Sequence, residues 1–151
     1  VNWIELDKRA FDHNAAQYRK VIGANQLLFV VKANAYGHGL REIADLAQHN
    51  TNIDWLGVAA LSDALLLRAQ GITKPLLTMS CVDVDPLEAV HKNIDITVYN
   101  YDMVNELNAI GQQHDYRFSV HIKIDTGLAR LGLTPSQATA FVKHVQSLSH
   151  I

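Results

Sequence analysis

One lysine in this sequence stands where a buried strand should end, and a lysine so placed can act as an amine nucleophile. Lys32 follows the five apolar residues 27–31 and precedes the polar and glycine-rich residues 33–39. An apolar run without polar alternation is typical of a strand buried on both faces of a parallel sheet. Burying an ammonium is costly unless it is paired or its pKa falls, so Lys32 is a candidate for covalent chemistry through its amine. The alternative is a strand-end lysine whose ammonium extends to water.

A second group of polar residues lies near the end of a later predicted strand. Period-two alternation places His121, Lys123 and Asp125 on one face, and Arg130 lies a few residues further on. Inside a barrel this face would point inward, and charged residues on an inward face are expected near the catalytic mouth at the carboxyl ends of the strands. Two lysines and an arginine at one mouth need anions, which a phosphorylated cofactor and a carboxylate substrate would supply. The alternative is a solvated edge strand with alternating polar residues.

Composition excludes several classes of protein. The 151 residues are 48% apolar and 19% charged, as in ordinary soluble domains, and the net charge of −2 offers no electrostatic case for nucleic acid or anionic membrane. We expect no membrane span, because no apolar stretch approaches about 18 residues. The single cysteine, Cys81, fits a reducing cytoplasm and is expected to be a small buried hydrophobe. The eight histidines lack metal-ligand spacing, so no metal is assigned.

Strand and helix signals alternate along the chain. Strands are predicted at residues 27–31, 55–60, 76–80, 96–99 and 118–124. Helices are predicted at about residues 8–22 and 40–48, from Ser62 to Gly71, from Asp85, from Asn100 and from Thr134. The first helix should be capped by Asp7, end at Gly23 and bury a stripe made of Phe11, Ala15, Tyr18 and Ile22. The second should bury Leu40, Ile43, Ala44 and Ala47.

Five strands, each followed by a helix, predict right-handed crossovers and a parallel sheet. An open doubly wound sheet and a (β/α)₈ barrel are both compatible with this order. The turn Gly37-His38-Gly39 lacks the further glycine of a dinucleotide fingerprint. A complete barrel needs roughly 250 residues. The pattern therefore favours an α/β fold that is a partial (β/α)₈ TIM-type barrel of about five βα units. The missing initial methionine and the last residues, where a sixth strand is due, suggest that the chain is part of a longer protein.

Two motifs carry a resemblance to a known family. Residues 31–39, Val-Lys-Ala-Asn-Ala-Tyr-Gly-His-Gly, resemble the pyridoxal-phosphate motif of alanine racemases. Residues 121–132, His-Ile-Lys-Ile-Asp-Thr-Gly-Leu-Ala-Arg-Leu-Gly, resemble the second signature of that family, although Leu128 replaces the usual methionine. Residues 3–7 and His13-Asn14 resemble its entry segment. The resemblance implies that residues 1–151 are the N-terminal part of the cofactor-binding barrel. The rest of the barrel and a C-terminal β domain would lie outside this chain.

The same resemblance implies roles for four residues. Lys32 would bind pyridoxal 5'-phosphate covalently and act as the acid–base on one face of the substrate α-carbon. Tyr36 would hydrogen-bond the cofactor phosphate, and Arg130 would contact its phenolic oxygen and the carboxylate side of the site. Lys123 would correspond to a lysine that is carbamylated in family members, a change from cation to anion that would support Arg130.

The implied function is that of an isomerase, a pyridoxal-phosphate-dependent alanine racemase that interconverts L- and D-alanine, either for D-alanine biosynthesis and peptidoglycan or for catabolism. It would be a cytoplasmic homodimer, since the second proton-transfer group of the family is a tyrosine of the partner subunit. These 151 residues alone should therefore be inactive. Three alternatives stay open at this stage: a serine or broad-specificity racemase, a non-catalytic barrel that carries the cofactor, and an excised barrel fragment without activity.

Overall fold

Five parallel strands form one sheet whose spatial order repeats their order along the chain, β1-β2-β3-β4-β5. The computed structural model describes residues 2–151. The strands are β1 Leu28–Val30, β2 Trp55–Ala60, β3 Leu76–Cys81, β4 Ile94–Val98 and β5 Val120–Ile122. The helices are α1 Lys8–Ile22, α2 Lys32–Tyr36, α3 Leu40–Gln48, α4 Leu61–Ala69, α5 Leu87–His91, α6 Tyr101–His114 and α7 Pro135–Gln146.

This strand order decides between the two architectures that the sequence allowed. A doubly wound sheet reverses its strand order at a switch point, whereas here every strand pairs in parallel with the next one along the chain. Successive right-handed crossovers then place all the helices on one side of the sheet, as in a barrel. The predicted partial (β/α)₈ barrel is confirmed.

Alternation along the strands gives the sheet two different faces. The outward face packs against the helices and is fully buried; it includes Leu56, Val58, Ile96 and Val98. On the other face, the rings of Trp55 on β2 and His121 on β5 meet edge to face with centroids 5.7 Å apart. Because β3 and β4 lie between these two strands, this contact shows that the sheet is curved and that the polar side of β5 lies on the concave face.

Helix termini agree closely with the capping residues read from the sequence. The Asp7 carboxylate accepts hydrogen bonds from the backbone amides of the first turn of α1, which ends at Gly23. Asn100 caps α6 by accepting from Met103 N, and Thr134 and Gln137 form a capping box at the start of α7. The predicted buried face of α3 is also confirmed, since its four apolar residues are all buried. These agreements reflect short-range interactions, which the local sequence determines.

Some predictions at this level are wrong. Ser62 is not the N-cap of α4, because Ala60 stands at that position. Tyr18 is 64% exposed and does not belong to the buried stripe of α1, and Cys81 is exposed rather than buried. The residues of β1 are half-buried rather than enclosed on both faces, since β1 is an edge of this sheet.

The ends of several strands also differ from the predicted ones. β4 begins two residues earlier than predicted and ends one residue earlier, and β3 is one residue longer. β5 has only three residues. Beyond it, Ile124 forms a separate parallel bridge with Leu133. Hydrogen bonding between strands determines these boundaries, and an apolar pattern in one segment does not report it.

Candidate active site at the carboxyl ends of the strands

The segment after β1 has an unusual backbone. Residues 33–36 all have positive φ angles, between 51° and 55°, although none of them is glycine. They form one turn of left-handed helix inside α2. Such a conformation costs L-residues about 1–2 kcal/mol each. Strain of this kind persists only where the surroundings impose it, and it clusters at functional sites.

Local hydrogen bonds and packing hold this left-handed turn in place. Ala35 N donates to Val31 O at 2.9 Å, and the Asn34 side chain accepts from Leu40 N at 2.8 Å. Ala35 is buried, which anchors the turn against the core. Gly37 and Gly39, with φ of 92° and 99°, then lead the chain into α3. These two glycines are turn residues, as the sequence indicated.

The left-handed turn directs its polar side chains away from the core. Lys32 is half-buried at the point where β1 ends, and Tyr36 is 62% exposed at the other end of the turn. The ring of His38 is bonded to the carbonyl oxygen of Ala35, Nδ1 to O 3.0 Å. That bond gives His38 a structural role in the turn. Lys32 and Tyr36 are the two groups of this segment that remain available to a ligand.

Lys123 directly follows β5, as Lys32 follows the end of β1 by two residues. Its Nζ lies 3.3 Å from the carbonyl oxygen of Met79 on β3, so the side chain crosses β4 on the concave face. Strand pairing puts Met79 close to the level of Thr97, which is paired with His121. The Lys123 side chain therefore lies over the inner face of the sheet, as the alternation predicted. It does not extend outward as on a solvated edge strand.

Arg130 lies in the loop that follows. The Asp125 carboxylate accepts from Gly127 N and Ala129 N at 2.9 and 3.1 Å, and these bonds hold the pKa of Asp125 below its usual range. Gly132 passes so close to Asp125 that an added Cβ would lie 2.7 Å from its backbone nitrogen. The loop is thus closed on itself, and Arg130 projects from it into solvent.

These elements bring Lys32, Lys123 and Arg130 to the same edge of the sheet, where barrel enzymes carry their catalytic groups. Within residues 2–151, the side chains of Lys32, Tyr36 and Arg130 form no hydrogen bond or salt bridge. The edge thus presents two lysines, an arginine and a phenol. This set can bind an anionic ligand and provide an amine nucleophile.

Two features of this region were missed by sequence reasoning. The left-handed turn has no composition signal apart from Asn34, because alanine and tyrosine rarely adopt positive φ. The carboxylate of Asp95 on β4 bonds the Nε2 of His121 at 3.0 Å. The alternation of β4, with Asp95 between two apolar residues, could have suggested an inward carboxylate.

Among the described residues there is no cluster of three or more potential metal ligands, and no helix is long and apolar enough to cross a membrane.

A sheet with sequential parallel strands defines part of a barrel of the (β/α)₈ class, and the amine groups at its carboxyl edge form a candidate site at the mouth. The family described as "Alanine racemase, N-terminal domain" matches residues 6–151. The chain belongs to this family.

Individual relatives agree with this assignment. An alanine racemase of Desulforamulus reducens is 37% identical over 137 residues, which are 89% of this chain and 37% of that protein. An alanine racemase of Edwardsiella ictaluri is 40% identical over 144 residues, 93% of this chain and 38% of that protein. The chain therefore spans about two fifths of the length of these relatives.

Solved structures show the same fold. The alanine racemase of Oenococcus oeni superposes with a TM-score of 0.86 at 28% identity, over 97% of this chain and 42% of that one. The alanine racemase of Clostridium difficile 630 in complex with cycloserine gives a TM-score of 0.84 at 29% identity, over 97% of this chain and 40% of that one.

Proposed function

We propose that this chain is the first part of the cofactor barrel of a pyridoxal-phosphate-dependent alanine racemase. Residues 1–151 would supply five βα units. The remainder of the barrel and a C-terminal β domain would come from sequence outside them. The whole enzyme would interconvert L- and D-alanine and act as a homodimer in the cytoplasm.

The observation that carries the proposal is the placement of Lys32. It stands two residues after the end of β1, and Tyr36 lies at the far end of the strained left-handed turn that follows it. A protein retains such strain where the turn must present particular groups. An amine at one end and a phenol at the other suit a ligand that has both an electrophilic carbon and a phosphate.

The residues fit pyridoxal phosphate by their chemistry. The Lys32 amine can form the covalent bond to the aldehyde carbon, the Tyr36 hydroxyl can donate to a phosphate oxygen, and the Arg130 guanidinium can hold an anionic oxygen. Lys123 already lies on the concave face, so a carbamate on its amine would turn a second cation into an anion that supports Arg130. When bound, pyridoxal phosphate supplies an electron-accepting ring that makes the α-proton of an attached amino acid removable.

In this mechanism Lys32 has two tasks. Its amine would hold the cofactor, and when that amine is free it would take or return a proton at one face of the substrate α-carbon. Racemisation needs a second proton-transfer group on the opposite face. By resemblance to the family, that group is a tyrosine of the partner subunit's C-terminal domain, so residues 1–151 provide only half of the acid–base pair.

Substitution of Lys32 tests the assignment. The full-length protein should bind pyridoxal phosphate covalently, and borohydride reduction followed by peptide mass spectrometry should locate the cofactor on Lys32. Lys32→Ala should abolish this adduct and lower kcat by at least about 10³-fold, because both the covalent link and one acid–base group are lost. Lys143→Ala, which changes an exposed lysine of α7, is the matched control.

Other outcomes separate the alternatives. An adduct on Lys32 without any racemisation would support a cofactor-carrying barrel in place of an enzyme. Faster racemisation of L-serine than of L-alanine would identify a serine racemase. Turnover by residues 1–151 alone at the rate of the whole protein would contradict the two-group mechanism.

A further inference from the structure

Three backbone amides of the segment between α2 and α3 are bonded to one residue of the left-handed turn, Asn34. The amides of Gly37 and Gly39 each donate to Asn34 O at 3.0 Å, and Leu40 N donates to Asn34 Oδ1 at 2.8 Å. Leu40 is only 6% exposed, so its amide needs a partner within the protein. Asn34 therefore joins the turn to the first residue of α3 through both its main chain and its side chain.

The Asn34 side chain replaces the missing cap of α3. Gly39 stands at the N-cap position and has no side chain that could accept a hydrogen bond. The acceptor comes instead from six positions earlier in the chain. Asparagine also enters the left-handed region more readily than other non-glycine residues. The same bond thus satisfies the first amide of α3 and holds residue 34 in its left-handed conformation.

The two ends of the turn are anchored in different ways. Before Lys32, Val31 is fully buried, and its amide donates to Gly57 O of β2 at 2.8 Å. The sheet therefore fixes the backbone that leads to Lys32. Tyr36 is 62% exposed and borders an open groove of about 600 Å³ between α1 and α3. Because packing does not enclose Tyr36, its position depends on the conformation of the turn.

We propose that Asn34 is a positioning residue for the phosphate contact of Tyr36, a role that rests on the cofactor function proposed above. Its side chain holds the left-handed turn against α3 and thereby places the Tyr36 hydroxyl. Without that bond, residues 33–36 are released toward the right-handed conformation that L-residues prefer, and Tyr36 moves away from the phosphate. Lys32 stays in place, because the sheet anchors the residue before it.

Affinities for two ligands distinguish the two ends of the turn. Pyridoxal 5'-phosphate and pyridoxal share the aldehyde that Lys32 would bind, and only the first has a phosphate. In the full-length protein freed of cofactor, Asn34→Ala should weaken binding of pyridoxal 5'-phosphate by about tenfold and of pyridoxal by less than about twofold, since one cap bond is lost. Asn100→Ala removes an equivalent 2.8 Å cap bond from α6 and is the matched control. It should change neither affinity.

A double-mutant cycle tests whether Asn34 acts through Tyr36. Tyr36→Phe removes the hydroxyl, so adding Asn34→Ala to it should weaken binding of pyridoxal 5'-phosphate further by less than about twofold. Additive losses would overturn the proposal. Equal losses for the two ligands in Asn34→Ala would also overturn it, because the whole site would then have moved.

Crystal structures provide a readout that does not depend on the cofactor. In Asn34→Ala, the backbone of residue 36 should leave the positive φ region. In Asn34→Asp, which keeps an acceptor for Leu40 N, it should remain there. An unchanged turn in Asn34→Ala would contradict the proposal. If Asn34→Ala does not fold, Asn34→Gly, which adopts positive φ without strain, should show the same selective loss of phosphate affinity. Wild-type affinity in that glycine variant would overturn the proposal.

Two results for the wild type separate this role of Asn34 from the proposed function. A protein that binds pyridoxal 5'-phosphate without racemising alanine refutes the proposed function alone, since none of these measurements needs turnover. A protein that binds pyridoxal as tightly as pyridoxal 5'-phosphate has no phosphate contact for Asn34 to position, and this result overturns the proposal.

Discussion

At the scale of single residues, the site depends on backbone conformations that ordinary side chains avoid. Ala33, Asn34 and Tyr36 are exposed, so packing of their own side chains does not explain their left-handed geometry. Buried Ala35 and the bonds around Asn34 impose it. The protein thus gives up stability at the segment that separates Lys32 from Tyr36.

Replacing Ala33 by glycine measures this strain. Glycine adopts positive φ without steric cost, and we expect Ala33→Gly to raise the free energy of unfolding by up to about 1 kcal/mol after the entropy loss of glycine is subtracted. Ala140→Gly in the middle of α7 is the matched control and should lower it by about 0.5–1 kcal/mol. Denaturant titration of both variants gives the values. Equal losses in the two variants would mean that Ala33 is not strained.

At the scale of elements, α4 takes its N-terminal cap from another part of the chain. Ala60 stands at its N-cap position and has no side-chain acceptor. Asp83, in the segment after β3, accepts instead from Ser62 N at 3.0 Å and from Ser62 Oγ at 2.6 Å. These bonds connect the turn between β2 and α4 to the segment that leads to α5. Both lie at the carboxyl ends of the strands, as does the candidate site.

Removing this cap should cost stability in a pH-dependent way. The hydroxyl and the amide of Ser62 lower the pKa of Asp83 below its ordinary 3.8. A carboxyl whose pKa is lowered on folding stabilises the protein above its unfolded pKa, and this contribution is lost as the pH falls through the folded value. Asp83→Ala should lower the free energy of unfolding by about 0.5–2 kcal/mol at pH 7. The gap to the wild type should shrink below pH 3.8.

Denaturant titrations at several pH values check this expectation. Glu106→Gln, which neutralises an exposed carboxylate on α6, serves as control. A gap between wild type and Asp83→Ala that stays constant through the acid range would show that the Asp83 charge does not contribute.

The loop that carries Arg130 needs a glycine at position 132 in order to close. Gly132 has φ of 129°, and a Cβ there would lie 2.7 Å from Asp125 N and 3.1 Å from Ile124 C. We expect Gly132→Ala to cost about 1–3 kcal/mol of stability and to weaken cofactor binding, since the loop cannot close. Gly71→Ala has a positive φ but no atom within 4 Å, so it should cost less and leave the cofactor affinity unchanged. Calorimetry and cofactor titration distinguish the two variants.

At the scale of the whole molecule, the two ends of the strands have different tasks. The carboxyl ends carry the unpaired cations of the candidate site. The amino ends are joined by cations that bind backbone carbonyls. Arg68 donates to the carbonyl oxygens of Lys92, Ile72, Lys74 and Asn93, and Arg19 bonds Asn25 O, Asn52 O and the Asp54 carboxylate. Lys74 Nζ donates to Asn50 O and Ile53 O.

Because Arg68 lies at the amino ends of the strands, away from the candidate site, we expect it to contribute to stability and not to catalysis. Burial lowers the pKa of Arg68, and its four bonds connect the segments that precede β3 and β4. Arg68→Met should lower the free energy of unfolding by about 2–4 kcal/mol, because several carbonyls lose a charged donor. Arg41→Met, at an exposed position of α3, should have little effect. Denaturation and kinetics of the full-length protein check both. A large fall in kcat for folded Arg68→Met would contradict the assignment of the amino ends of the strands to stability alone.

The sequence by itself determined the features that depend on neighbours along the chain. Apolar periodicity, the caps Asp7, Asn100 and Thr134, and the alternation around Lys123 predicted the order of elements, most helix ends and the inward face of β5. These follow from interactions within a few residues, which any fold must satisfy locally.

Only the tertiary structure decided the features that join distant residues. The strand order excluded a doubly wound sheet, Asp83 replaced Ser62 as the cap of α4, and Asp95 was brought to His121 from 26 residues away. The left-handed turn after Lys32 belongs to the same group. Its cost of about 1–2 kcal/mol per residue opposes local preference and can be met only by the packing of the folded chain.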